Sequence, residues 1–310
     1  MNLYNDYNTY LRSKYGCRVY RIGLDAGFSC PNRDGTKGRK RTCLYCNDNG
    51  SRSPYTGTDT GVTEQLRTRI EFLKNSKGAE KFIAYFQAFT NTHAPAEKLK
   101  ALYDCVLPFN DIIGISIGTR PDAVDHEKLE LISSYKNRYE VWIEYGLQSV
   151  HNKTLEKINR AHTFEDFKTA LALTKEFGIL ACCHVILGLP DETKDDMMNT
   201  AKMLTYLKID AVKIHLLHVL KGSALEKLYK AGLVRMMEED EYVELVCDFL
   251  ENLSPEIIVQ RLTGQGDRSS HIAPAWALDK HNTINRVGET LKRRGIRQGY
   301  NVKYQSPNVK

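Results

Sequence analysis

The feature that most constrains the fold of this chain is an alternation of short, apolar, β-rich runs with segments of helical periodicity. The predicted strands are Val19–Leu24, Phe82–Phe86, Ile112–Ile117, Tyr139–Tyr145, Ile179–Leu187, Ala211–Leu217 and Ile257–Arg261. The predicted helices between them, whose apolar residues recur every three or four positions, are Val62–Asn75, Pro95–Leu107, Phe164–Phe177, Asp195–Leu207 and Glu239–Leu253. Alternating strands and helices predict an α/β fold with parallel βαβ units. Six or seven units fit an open or closed barrel better than a small doubly wound sheet.

Polar or glycine-containing segments follow several of these strands. They are Gln87–Asn91, Thr119–Asp122, Gly146–Ser149, Gly188–Pro190 and Leu217–His218. In either α/β architecture the functional groups gather at the carboxyl ends of parallel strands. We therefore expect the functional site at this edge of the sheet.

Composition narrows the class of protein. With 310 residues, 42% of them hydrophobic, the chain can bury a sizeable core, which excludes a disordered protein. No stretch approaches the roughly 20 apolar residues of a membrane helix, and the first residues lack the pattern of a signal peptide. We therefore expect a cytoplasmic protein with no membrane partner. The net charge of +6 is mild and does not by itself identify a partner.

Three of the eight cysteines lie close together after the first predicted strand. Cys30, Cys43 and Cys46 have the spacing C-x12-C-x2-C. In a reducing compartment such cysteines are thiols or metal ligands, and a two-residue gap lets two thiolates reach one metal or cluster. A zinc knuckle would need a fourth ligand, and a redox pair or three unrelated thiols are the other interpretations. The remaining cysteines are predicted to be packing residues.

With the segments at the strand ends, these cysteines make the sequence resemble the radical S-adenosylmethionine (SAM) superfamily. The usual first gap in that superfamily is three residues. The longer gap here resembles the branch that contains the elongator catalytic subunit, and Cys30–Gly35, which reads Cys-Pro-Asn-Arg-Asp-Gly, resembles its bacterial elongator-like members. The resemblance implies a partial parallel (βα)6 radical SAM barrel over residues 1–265, a short basic C-terminal extension over 266–310, and a [4Fe–4S] cluster and SAM as cofactors.

The resemblance also implies roles for single residues. Cys30, Cys43 and Cys46 would hold the cluster and serve catalysis. The implied SAM-binding residues are Tyr45, Gln87, Thr90, Glu144, Gln148, Arg160, His184 and Gly188. Among these, Arg160 matches an arginine that pairs with the SAM carboxylate, a pairing suited to the planar guanidinium. The alternatives are a structural Arg160–Glu144 pair and a hydrogen-bonded core histidine at position 184.

The substrate is less strongly indicated. The loop between the first two cluster cysteines carries five basic residues, which would contact phosphates; these are Arg33, Lys37, Arg39, Lys40 and Arg41. A C-terminal stretch at 292–304 interleaves basic residues with tyrosines, and tyrosines can stack on bases. The elongator-like resemblance implies modification of the side chain of a wobble uridine in tRNA, with an electron donor such as ferredoxin or flavodoxin.

Two other functions stay open. One is a radical SAM oxidoreductase that acts on a small metabolite or a porphyrin, with His215 and His218 lining its pocket. The other is an iron–sulfur sensor without turnover. The elongator subunit also carries an acetyltransferase domain, and the stretch after residue 265 is too short for one, so we do not expect acetyl transfer.

Overall fold

The computed structural model describes residues 2–36, 42–50, 52–53, 60–264 and 268–302. Its main element is a seven-stranded parallel sheet in the order β1-β2-β3-β4-β5-β6-β8. The strands of this sheet are β1 Val19–Leu24, β2 Lys81–Phe86, β3 Ile112–Thr119, β4 Glu140–Gln148, β5 Leu180–Leu187, β6 Ala211–Leu216 and β8 Ile258–Arg261. Two short strands, β7 (Val219–Leu220) and β9 (His271–Ala273), pair antiparallel beside it.

Helices connect the strands and cover the outside of the sheet. They are α1 Tyr7–Tyr15, α2 Pro31–Asp34, α3 Val62–Lys77, α4 Ala96–Asp104, α5 His126–Ser134, α6 Asn152–Lys157, α7 Phe164–Glu176, α8 Lys194–Tyr206, α9 Ala224–Lys230, α10 Glu239–Glu251 and α11 Lys280–Arg294. Short 3₁₀ turns occur at Pro121–Ala123, Tyr135–Asn137 and Ala275–Leu278. No helix in the described part of the chain is long and apolar enough to cross a membrane.

The predicted α/β fold with a partial parallel barrel is confirmed: the sheet curls into a half-barrel, with a seventh strand at its edge. Alternate residues of each strand face opposite sides of the sheet. On β4, Tyr145 faces outward, where its ring lies 5.9 Å from Phe167 of α7. Trp142 faces inward and packs in a separate cluster that includes Ile83 and Cys182. The helix-covered face therefore forms the main core, while the inner face surrounds the barrel lumen.

The first helix closes the amino-terminal end of this lumen. The rings of Tyr7 and Tyr10 stand edge-on to Trp142 at 6.0 and 6.4 Å. Just before α1, the N–H of Val259 in β8 donates to the carbonyl of Asn5 at 2.7 Å, so the N-terminal segment extends the open sheet edge. One end of the lumen is thereby sealed, and its other end, at the strand carboxyl termini, is left for the site.

The C-terminal helix is part of the same core. Val287 and Leu291 of α11 are fully buried against it. Near the end of α11, Arg294 pairs with Asp248 and Glu251 of α10 at 2.8 and 2.9 Å. Part of the basic C-terminal stretch thus holds two helices together. The division at residue 265 stays a prediction.

Candidate cofactor site and barrel lumen

The structure brings the three predicted cluster ligands together beyond the end of β1. Cys30 is the N-cap residue of α2, and the N–H of Cys46 donates to the carbonyl of Cys43 at 3.0 Å in a tight turn. Burial raises the pKa of the Cys46 thiol, and the nearby Cys43 and Cys30 raise it further. Cys30, distant in sequence, therefore lies beside the Cys43–Cys46 turn, and all eight cysteines are free thiols.

Three side chains direct N–H groups at two of these sulfurs. Asn32 Nδ2 and Arg160 Nη1 each lie 3.5 Å from Cys43 Sγ, and Arg33 Nη2 lies 3.4 Å from Cys46 Sγ. Burial alone would raise the pKa of Cys43, but the charge and hydrogen bond of Arg160 outweigh it and lower that pKa. The environment of Cys43 thus favours its thiolate, which is the form that binds metal.

These residues fit an iron–sulfur cluster with bound SAM. Cys30, Cys43 and Cys46 would hold three of the four irons of a [4Fe–4S] cluster and would leave the fourth open to SAM. Around them, Tyr45 Oη, Arg120 Nη1 and Asn32 Oδ1 are buried and lack a hydrogen-bond partner within the described ranges. Orphaned buried polar atoms of this kind are expected where a polar cofactor binds.

Arg160 is fixed beside the cluster ligands. Its Nε and Nη2 donate to the carbonyl of Gly146 at 3.1 and 2.6 Å, and only 8% of the residue is exposed. The alternative of an Arg160–Glu144 pair is not what the structure forms, because Glu144 pairs with Arg21, His184 and Lys213.

The end of β4 brings Gln148 next to Arg160. A Cβ added to Gly146 would lie 2.5 Å from Arg160 Nη2 and 2.8 Å from Gln148 Nε2, so both side chains approach the bare glycine. The register with β5 shifts between Gly146 and Gln148, and Gln148 has a φ of 78°, a left-handed conformation that costs energy outside glycine. The two residues predicted to bind SAM therefore share one small area.

The segment after β2 lies against the cysteine loop. The N–H of Thr90 donates to the carbonyl of Ser29, next to Cys30, at 3.2 Å. Phe89 has a φ of 61°, so it takes a backbone conformation that favours glycine. Gln87, which accepts from Ser53 at 3.2 Å, and the buried Thr90 flank it. The segment that contains the predicted SAM-binding residues Gln87 and Thr90 is thus held against the cysteine loop.

Two other predicted SAM-binding residues lie farther along the barrel. His184 Nε2 lies 2.9 Å from Glu144 Oε2 in the lumen, and burial lowers the pKa of His184 to about 4. Gly188, after β5, has a φ of 84° and lies against Met237. His184 therefore has a carboxylate partner, as the alternative of a bonded core histidine expects.

Glu144 organises a charged layer in the middle of the lumen. It is 1% exposed and accepts hydrogen bonds from Arg21 and Lys213, both of which also stack on the Tyr85 ring, at 4.2 and 4.3 Å from its centroid. Burial would raise the pKa of Glu144, but the surrounding cations hold it well below its usual range. Burial and Arg21 lower the pKa of Lys213 to about 7.

Sequence reasoning missed several residues of the site. Arg120 pairs with Asp122 through Nε and Nη2 at 2.8 and 2.9 Å, and Nη2 also donates to the carbonyl of Arg160 at 2.7 Å. The segment Thr119–Asp122 at the end of β3 was the signal for this contact. Charged residues at inward positions of apolar strands, such as Lys213, were a second available signal.

The predicted RNA-binding loop is only partly covered by the structure. Lys37, Arg39, Lys40 and Arg41 lie outside the described residues. Arg33, at its start, contacts Cys46 and pairs with Asp48 at 3.1 Å. Its side chain is thus engaged beside the predicted cluster.

Comparisons with known proteins identify the class to which this fold and site belong. The model of the radical SAM superfamily matches residues 35–204, and that of the radical SAM C-terminal domain matches residues 209–293. The chain belongs to the radical SAM superfamily. It is therefore an enzyme of that superfamily, with a [4Fe–4S] cluster and SAM as its cofactors.

Two of the relatives match nearly the whole length of the chain. It is 42% identical to an uncharacterised protein of Methanocaldococcus jannaschii and 41% identical to the uncharacterised protein YtqA of Bacillus subtilis; each match covers 96% of this chain and 92% of the relative. A tRNA uridine(34) acetyltransferase of M. jannaschii is 28% identical over 151 residues, 46% of this chain and 26% of that protein. Among solved structures, Elp3 of Methanocaldococcus infernus has the same fold, with a TM-score of 0.66 and 20% identity over 90% of this chain and 64% of that one.

Proposed function

We propose that this enzyme modifies the side chain of a wobble uridine in tRNA, with its cluster held by Cys30, Cys43 and Cys46. The observation that carries the proposal is the 151-residue match to a protein named for its action on uridine 34 of tRNA. When bound, the cluster and SAM supply reductive cleavage of SAM and removal of a hydrogen atom from the substrate. An electron donor such as ferredoxin or flavodoxin would provide the electron.

The residues around the cysteines support this role. Asn32 and Arg160 direct N–H donors at the Cys43 sulfur, and Arg33 directs one at the Cys46 sulfur. Arg160 has a guanidinium that can pair with the SAM carboxylate in two parallel hydrogen bonds, while Gln148 offers an amide beside it. Arg120 fixes the backbone of Arg160 through its carbonyl. The chain thus provides an anchored cation next to the predicted cluster.

The lumen supports a polar substrate rather than an apolar one. The inward residues of β1, β4 and β6 in its middle layer are charged, namely Arg21, Glu144 and Lys213. A base that leaves its stack to enter such a barrel exchanges stacking for hydrogen bonds to polar groups. This favours a nucleotide base over a porphyrin, which would need a wide apolar pocket.

Mass spectrometry of tRNA nucleosides tests the proposal. A strain that lacks the gene should accumulate a precursor at one uridine and lose the matured nucleoside. Complementation with the wild-type gene should restore it, whereas Cys43→Ala should not. An unchanged nucleoside profile in the deletion strain would overturn the tRNA assignment and leave a small-molecule substrate as the leading function.

A further inference from the structure

Positive charge exceeds negative charge in the part of the lumen lined by β6 and β8. Among the described residues that interact there, the cations Arg21, Lys213 and Arg261 face one carboxylate, Glu144. Both oxygens of that carboxylate are already used: Oε1 accepts from Arg21, and Oε2 from Lys213 and His184. Arg261 is therefore left without a carboxylate partner in the described part of the chain.

Arg261 points toward the lumen and is open to solvent. It is the last residue of β8, where the register places it opposite Lys213. Burial lowers the pKa of His215, and the charge of Arg261 lowers it further. Burial raises the pKa of Tyr85 across the barrel, and the charge of Arg261 opposes that increase. The residue as a whole is exposed, although burial within the lumen lowers the pKa of its guanidinium, so it can be reached from solvent while its charge acts inside the lumen.

Three residues near Arg261 carry buried nitrogen atoms without partners. Gln260 Nε2, His215 Nε2 and His218 Nδ1 are buried, and each lacks a hydrogen-bond partner within the described ranges. Gln260 is oriented by its other amide atom, since Oε1 accepts from Arg21 Nη1 at 2.7 Å. Buried nitrogens that stay unpaired cost stability, so their clustering indicates a ligand that supplies the acceptors.

We infer that Arg261, together with Gln260 and His215, binds an oxyanion of the substrate, either a carboxylate or a phosphate. Arginine suits either group because its planar fork matches two oxygens. Because the inference rests on the proposed function, the substrate is a uridine nucleotide, and its oxyanion is either its own phosphate or an acidic substituent on the base. Glu144 remains paired with Arg21 and Lys213. Its negative charge would repel a second carboxylate beside it, so the oxyanion binds at Arg261 instead.

Calorimetric titration of the anaerobically reconstituted, SAM-loaded protein tests the site. The probes are uridine 5′-monophosphate, 5-carboxymethyluridine and its neutral amide, 5-carbamoylmethyluridine. We expect at least one anionic probe to bind the wild type tenfold or more tightly than the amide. Preference for the monophosphate assigns the phosphate, and preference for the carboxymethyl nucleoside assigns the base substituent.

Three variants show whether Arg261 carries this preference. Arg261→Gln should abolish it, Arg261→Lys should keep part of it, and Arg12→Gln, on the exposed face of α1, should leave it intact. SAM affinity should be the same in all of them. A wild type that binds all three probes equally, or an Arg261→Gln variant that keeps the preference, overturns the inference.

The outcome is separable from that of the tRNA proposal. An anion preference that depends on Arg261, combined with unchanged tRNA nucleosides in the deletion strain, leaves the oxyanion site standing for a small acidic substrate. Altered nucleosides without such a preference leave the tRNA role standing and remove the oxyanion site.

Discussion

Arg160 Nη1 lies 3.5 Å from Cys43 Sγ, although 117 residues separate the two in sequence. The same guanidinium also donates to the carbonyl of Gly146 at the end of β4. One side chain thus connects the cysteine loop after β1 to the strand in the middle of the sheet. Any change at Arg160 should therefore affect both the predicted cluster and the predicted SAM site.

We predict that Arg160→Lys weakens SAM binding although it keeps the charge. Lysine has no planar fork, so one of the two hydrogen bonds to a carboxylate is lost. A charge-assisted hydrogen bond contributes about 1.5–3 kcal/mol, so the affinity should fall roughly tenfold or more. Equilibrium binding to reconstituted protein measures this, with iron content as the control for the cluster. Unchanged SAM affinity in Arg160→Ala would place the carboxylate elsewhere.

We predict that Gly146→Ala weakens SAM binding. The new methyl group would displace the ends of Arg160 and Gln148 and disturb the hydrogen bond of the buried Arg160 guanidinium to the Gly146 carbonyl, so the free energy of unfolding should also fall, by about 1.5–3 kcal/mol. The SAM affinity should fall because both side chains must move. Gly288→Ala in α11 is the matched control, since its Cβ meets Leu3 only at 3.9 Å. Equal SAM affinity in both variants would exclude this part of the site.

The fold was largely predictable because parallel strands buried on both faces appear as continuous apolar runs. Each of the seven predicted runs is a strand, and β4 extends three residues farther, to Gln148. Helix α1 was not predicted, since it buries only Tyr7 and Leu11, too few apolar residues to form a recognisable helix stripe.

The charged layer of the lumen could not be predicted for a different reason. Arg21 and Glu144 lie 123 residues apart and meet only when the sheet curls. A lysine such as Lys213 inside an apolar strand signals a buried charge that needs a partner, but the sequence does not show which residue that partner is. Local sequence therefore identified the residues that resemble a family motif, while the partners that hold them in place depend on tertiary structure.

We predict that Cys30, Cys43 and Cys46 hold one cluster without help from the other cysteines. Reconstituted wild type should bind about four irons per chain. Changing any of the three to Ala should nearly abolish the absorption of the iron–sulfur cluster. Cys182→Ala should retain it, because Cys182 packs in the hydrophobic core beside Trp142. Iron analysis and visible absorption measure both. A full cluster in Cys43→Ala would contradict the assignment.

We predict that Glu144→Gln destabilises the protein and changes how its stability depends on pH. The change leaves buried cations unpaired, which costs roughly 3–5 kcal/mol. Burial and Arg21 lower the pKa of Lys213 to about 7, and the Glu144 carboxylate opposes that shift. In the variant the pKa of Lys213 falls further. The unfolded chain therefore binds more protons than the folded protein over a wider range of pH.

The sign of this dependence follows directly. Where the unfolded state binds more protons, the free energy of unfolding rises with pH. Between about pH 6 and about pH 8, Glu144→Gln should therefore gain more stability than the wild type. Denaturant unfolding at both pH values measures this, and the double variant Glu144→Gln with Lys213→Met should recover part of the loss. Parallel pH profiles for variant and wild type would refute the coupling.

We predict that the basic loop after Arg33 contributes phosphate contacts to tRNA. Changing Arg39, Lys40 and Arg41 together to Gln should reduce the slope of log affinity against log salt by up to about three, since each contact adds nearly one unit. The matched control replaces three exposed lysines on the outer helices by Gln, namely Lys77, Lys98 and Lys202. Cleavage of SAM without RNA should survive in both variants, because neither variant replaces Cys30, Cys43 or Cys46. Filter binding across a salt series measures the slopes, and equal slopes in the loop variant and the wild type would remove the loop from the RNA-binding surface.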